Sequence, residues 1–228
     1  AALPKITDPA GWWSIADRSP HLRDLLARRL MRAGRYDEAL AYFHLAEDKR
    51  FSDPEAREHA RAFARALRAA NRAWTRVGRA ESLYEAAHIA RWHGINIFVT
   101  EGDPDGFFMG GSTWSVTTAP KTSDLASKDE VQRFAASAVQ PDYSYHYRYR
   151  AVALAQQAAN NLPPRSAAYA EVLNNACSWV RLRDAEESGK IYQRYLNTGA
   201  YLECAAEFGQ TEIKPGFHQA RWFTLKQD

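Results

Sequence analysis

Seven arginines, Arg57, Arg61, Arg65, Arg68, Arg72, Arg76 and Arg79, follow one another in steps of four, four, three, four, four and three. On one continuous helix that spacing puts all seven guanidinium groups along a single face. A guanidinium fork holds a carboxylate or a phosphate with two parallel hydrogen bonds, so the chemistry on offer is recognition of an acidic surface. An acidic protein face is the first expectation and an anionic membrane surface the second, with nucleic acid a lesser alternative. Only Glu55 and Glu58 lie close by in the chain, and like charges at helical neighbours repel. Either an external partner or acidic residues of another helix of the same chain must therefore face the stripe, unless water alone does.

The other candidates are local. Phe107, Phe108 and Trp114 lie in a stretch rich in Gly, Asp, Ser and Thr where helical packing does not claim them, which makes them candidate anchors for a partner or for the chain's own core. Trp12 and Trp13 stand in the same position near the start. Glu101, Asp103 and Asp105 with Gly106 are spaced like the opening of a calcium loop, but Pro104 intervenes and Ser112 stands where a bidentate glutamate should close it. An acidic turn is the plainer reading. Tyr143, Tyr145, His146, Tyr147, Arg148, Tyr149 and Arg150 interleave rings and bases as a single-strand nucleic-acid surface would. On a helix, however, about half of the rings would be buried and the arginines left outside.

No histidine pair stands at i and i+4, and no Gly-x-Ser-x-Gly elbow, phosphate-binding Gly-x-x-x-x-Gly-Lys loop or Cys-x-x-Cys pair occurs. His88 and His93 are five apart and diverge on a helix, so they read as structural histidines. No catalytic, cofactor or metal residue is assigned from the sequence, and the chain reads as a non-enzyme.

The elements that must carry these residues are helices. From Pro20 to Ala46, Leu22, Leu25, Leu26 and Leu30, then Ala39, Leu40, Phe43 and Ala46, fall at helical spacing around Gly34, which suits a C-cap. Asp37 and Glu38 would sit in the first turn of the second helix, where negative charge suits the dipole. Ser52-Asp53-Pro54 opens a long helix with the stripe Ala56, Ala60, Phe63, Ala64, Leu67, Ala70, Trp74 and Val77, and another runs from about Ala80 to His93 and closes at Gly94.

From Ile95 the period changes to two, and extended chain or a small β insertion is expected over residues 95–126. Helices resume over Ser127–Val139, Tyr143–Leu162, Ser166–Leu182 and about Ala185–Asn197, followed by a short one near Ala200–Phe208 and a tail. The expected organisation is thus a helical unit over 1–94, the insertion over 95–126 and a second helical unit over 127–228. The fold class is all-α.

Leu26, Ala27, Leu30, Gly34, Tyr36, Ala39, Phe43 and Ala46, with Pro54 downstream, together resemble a tetratricopeptide repeat. In that 34-residue pattern small residues stand where two helices cross, large ones where repeats interlock, and glycine in the turn. A weaker copy runs through Val172, Ala176, Trp179, Ser188, Tyr192 and Tyr195, with Arg183 where the turn glycine belongs. About 65 of the 228 residues carry the likeness. The resemblance implies a stack of antiparallel helical hairpins serving as a non-catalytic protein-binding scaffold or a structural subunit of a larger assembly. The competing expectation is an enzyme, or a small-ligand or metal-binding protein, with its site at residues 95–114.

Composition sets the bounds. The chain is 46% hydrophobic and 25% charged, which excludes wholesale disorder, and its length suits one large or two small domains. No apolar run is long enough to span a bilayer, and Cys177 and Cys204 are too few for a disulfide scaffold or a four-thiolate zinc site. The net charge of +3 hides an asymmetry: residues 18–79 hold 15 Lys and Arg against 8 Asp and Glu, residues 80–228 hold 14 against 17. The positive field is N-terminal. The Ala1-Ala2-Leu3-Pro4 start fits the end left by signal peptidase, which would place the protein in the periplasm or outside the cell; a cytoplasmic chain trimmed after initiation is the alternative.

Overall fold

A computed structural model of the chain describes residues 19–48, 51, 53–98, 127–137, 146–198 and 205–222, and these are all helix, turn and irregular chain, with no strand among them. The helices are α1 (Ser19–Arg32), α2 (Tyr36–Ala39), α3 (Ala56–Arg72), α4 (Arg76–Ile97), α5 (Lys128–Ser137), α6 (Tyr147–Ala159), α7 (Ala167–Val180), α8 (Ala185–Thr198) and α9 (Phe217–Ala220). None of the described helices is long and apolar enough to cross a membrane. The calcium-like residues, Phe107, Phe108, Trp114, Trp12, Trp13, Tyr143, Tyr145 and Cys204 lie outside the described residues.

The first hairpin forms where the apolar spacing places it, but its second arm is short. Gly34 turns the chain at φ +75°, the left-handed region open to glycine, and Ala27, Leu30, Met31, Ala39 and Phe43 are buried around the crossing. Beyond Ala39 the expected helix gives way to turns, and Leu45 and Ala46 are exposed. The cause is tertiary: the His44 ring lies flat on Phe51 and faces Asp24 on one side and the Asp53 carbonyl on the other. Such contacts override a weak helical preference. Because Ala39 has no exposed surface, Ala39→Leu is expected to overpack the crossing and cost about 1–3 kcal/mol in chemical denaturation. An unchanged midpoint would show that α2 does not seat on α1.

The long arginine helix ends earlier than its spacing suggests. Ala73 is extended, Trp74 is fully exposed, and Thr75 caps a new helix by accepting a hydrogen bond from the Gly78 N–H. Helices α3 and α4 are joined by this three-residue turn and pack along their length, so they run antiparallel. Alanines at 56, 60, 64, 66 and 70 on α3 and at 80, 86, 87 and 90 on α4 are buried, and Phe63 packs edge-on against Phe98 at 4.8 Å. Helix α4 continues through Ile97, where alternation had suggested extended chain. Ile97 and Phe98 are both buried, so burial of this end against the core decides the conformation.

From here the packing is serial: α3 lies on α4, α4 on α6, α6 on α7 and α7 on α8. The starts of α5 to α8 are capped by side chains. Ser127 and Glu130 form a reciprocal capping box ahead of α5, His146 caps α6, Ser166 caps α7, and the Asp184 carboxylate accepts from the Glu187 N–H in the first turn of α8. Arg183, in the position of a turn glycine, keeps an ordinary negative φ. The α7–α8 turn therefore closes without a left-handed residue.

The segment from a 3-10 turn at Ala205–Glu207 to α9 folds back over α4 and α7. Buried Asn174 and Asn175 hold it: Asn174 bonds the Gly209 N–H and the Thr211 carbonyl, Asn175 both backbone groups of Ile213, and Asn175 also donates to the Tyr84 hydroxyl. Burial pushes the Tyr84 phenol well above its ordinary pKa.

Candidate functional site

Antiparallel pairing brings the start of α3 against the end of α4, and side chains able to do chemistry meet there. Asp53 precedes α3, His59 lies in its first turn, and His93 lies near the end of α4. One donor atom from each falls within 4.8 Å of the others, and this is the one such group of metal-ligand types among the described residues. The two imidazoles stack with centroids 3.4 Å apart and planes 19° from parallel. His59 Nδ1 stands 3.4 Å from Asp53 Oδ2, is buried and has no hydrogen-bond partner, while Nε2 faces Glu55 Oε2 at 3.6 Å.

The surroundings of His93 disfavour its charged form. Burial, and next the adjacent His59 ring, hold His93 below the ordinary imidazole value against the opposing pull of Asp53 and Glu55. Asp53 itself is fixed from several sides. Asn96 Nδ2 donates to Oδ2 at 2.9 Å, and the Glu55 N–H donates to Oδ1 at 2.9 Å. His44 Nε2 lies 2.8 Å from the Asp53 carbonyl oxygen; its Nδ1 lies 3.0 Å from Asp24 Oδ1, and Arg28 Nε pairs with Asp24 Oδ2 at 3.1 Å. Asp53, His59 and His93 are thus the residues able to hold a metal ion. Two lone-pair nitrogens and a carboxylate, with Glu55 beside them, form a donor set for a divalent ion.

Sequence reasoning missed this group because its members sit at opposite ends of a hairpin. A search for ligand pairs within one helix does not join His59 to His93. The usable signal was the Asp53 turn at the start of α3 combined with the antiparallel return of α4.

The arginine stripe divides. Arg57, Arg61, Arg65, Arg68 and Arg72 belong to α3, but Arg76 and Arg79 lie beyond the break, on α4, so the seven do not share one helix face. The expectation of a single face is corrected by the extended Ala73 and the Thr75 cap. Several find partners within the chain: Arg61 pairs with Glu58, and Arg68 with Asp37 at 3.0 Å. Arg76 donates to the Asn160 carbonyl at 2.8 Å and Arg79 to the Ala70 carbonyl at 3.3 Å. Arg57 is half-buried, with its Nε lacking a hydrogen-bond partner. Arg65 and Arg72 are exposed and have no ion-pair or hydrogen-bond partner among the described residues.

The bases after Tyr145 are not left outside either. Arg150 lies over the rings of Phe63 and Phe98, at 5.4 and 4.6 Å, and donates to the Tyr36 hydroxyl at 3.0 Å. Arg148 reaches the Trp179 carbonyl at 3.4 Å. These two tie α6 to its neighbours, so the described part of that run is structural. In comparison with known proteins, no family model, curated protein or solved structure matches this chain.

Proposed function

We propose that the protein is a non-catalytic helical scaffold of tetratricopeptide-like construction that binds an acidic protein face through α3. The observation that carries this reading is the serial packing of α3, α4, α6, α7 and α8, each on its neighbour. Among the described residues α3 and α8 do not close on each other, and α3, covered in part by α2, keeps Arg65 and Arg72 exposed, as an element of a stacked-repeat protein that binds along an extended surface would. The buried Ala27, Leu30, Ala39 and Phe43 around the Gly34 turn support the repeat-like construction of the first hairpin. The one-turn α2 departs from it, and Leu26 is exposed. The exposed Arg65 and Arg72, with Arg61 and Arg68 beside them, supply the positive charge of that face.

The test starts from copurification out of the native source, identification by mass spectrometry and binding of the purified partner. Arg65→Gln with Arg72→Gln should leave the melting temperature unchanged, because glutamine forms helix about as well as arginine. The same double variant should weaken binding by about fivefold or more, with a shallow dependence on salt. A steep log–log slope would identify nucleic acid instead, and retention on anionic vesicles a membrane surface. Binding indifferent to both substitutions would place the interface away from α3.

A further inference from the structure

Beyond the scaffold reading and independent of it, we infer that Asp53, His59 and His93 bind one divalent transition-metal ion of the zinc class. The ion would lock the chain before α3 to the end of α4. Imidazole and carboxylate donors together suit zinc, cobalt or nickel, whereas calcium and magnesium take oxygen ligands throughout. Bonds of about 2.0–2.2 Å put tetrahedral ligand atoms roughly 3.3 Å apart. The 3.4 Å between His59 Nδ1 and Asp53 Oδ2 already has that value, and the whole set lies within 4.8 Å. The planes of the two rings are 19° from parallel, so their in-plane lone pairs meet at one ion once one ring tilts out of the stack.

Two features beyond proximity point to an ion. His59 Nδ1 is a buried polar atom with no hydrogen-bond partner, and it faces a carboxylate; a buried group in that state calls for a missing partner. Asp53 is also supported as metal-binding carboxylates are, by Asn96 on Oδ2 and by the Asp24–His44 pair behind its backbone. The charges match: Asp53 and Glu55 together neutralise a divalent ion, and Glu55, 3.6 Å from His59 Nε2, is placed to take a fourth position or to leave it to water.

The experiment uses the full chain stripped with a chelator and dialysed. Cobalt(II) is titrated in and its visible absorption followed, zinc is then used to displace it, and the melting temperature is read with and without zinc. One ion per chain is expected, with a tetrahedral-type cobalt spectrum bleached by zinc and a melting temperature raised by zinc but not by magnesium or calcium. His59→Ala and His93→Ala should each abolish the spectrum and the zinc-dependent shift. Asn96→Ala, which only orients Asp53, should weaken zinc by about tenfold, and His88→Ala should change nothing. Circular dichroism checks each variant; should His59→Ala fail to fold, His59→Gln takes its place. Absence of cobalt binding by the wild-type chain, or binding that survives loss of both His59 and His93, would overturn the inference.

Discussion

Trp179→Ala is expected to cost about 3–5 kcal/mol, the range for truncating a large aromatic in a packed core. Trp179 is among the largest fully buried side chains. Its ring stacks on Tyr84 of α4 at 5.9 Å, its Nε1 donates to the Glu212 carboxylate in the C-terminal segment, and its carbonyl receives Arg148 from α6. One side chain thus joins α4, α7 and the returning tail. Truncation opens a cavity among them and removes the bond to the exposed Glu212. Domains are commonly stable by only 5–15 kcal/mol, so a large share of the total is at stake. Urea unfolding followed by circular dichroism reads it as a lower midpoint at an unchanged slope. Trp179→Phe should fall well short of that loss, because it keeps most of the volume and gives up only the bond to Glu212. A Trp179→Ala variant within about 1 kcal/mol of wild type, below the usual range for such truncations, would mean that the tail does not seat on α4 and α7.

That this residue would matter was legible, since Val172, Ala176 and Trp179 fall on one helical stripe. Its partner Glu212 was not, because nothing local links a tail residue to an indole. The same division runs through the chain. The helix starts expected at Ser127 and Ser166 hold to within a residue, each serine capping the helix that follows it, because capping is settled within three residues. Gly34 likewise turns the chain where its type suggests. Boundaries set by tertiary contact were hidden. The arginine period runs without interruption through Ala73, Trp74 and Thr75, so charge spacing conceals the break that the Thr75 cap creates. Ile95, Ile97 and Val99 imitate a strand, yet Ile97 is buried as the last turn of α4. The Asp53, His59 and His93 group lay deepest, since it exists only once two antiparallel helix ends meet.

Gly94 shows how a correct residue can carry the wrong reason. Its sequence position suggested a helix C-cap, but α4 runs three residues further, and Gly94 is buried inside it. A Cβ added there would stand 2.5 Å from Tyr147 Cβ on α6, with two further ring atoms at 3.1 and 3.2 Å. The glycine permits the close approach of α4 and α6. In an exposed helix a larger residue would gain up to about 1 kcal/mol over glycine; here the obstructing atom is bonded to the backbone of α6 and cannot swing away. Gly94→Val should therefore cost 3 kcal/mol or more, at or beyond the top of the roughly 1–3 kcal/mol overpacking range. Gly94→Ala should cost less while still lowering the unfolding midpoint. Tyr147→Gly deletes the atom in the way, so in that background Gly94→Ala should become neutral or stabilising, a coupling that a double-mutant cycle reads directly. An equal penalty for Gly94→Ala in both backgrounds would show that the two helices do not meet at this pair.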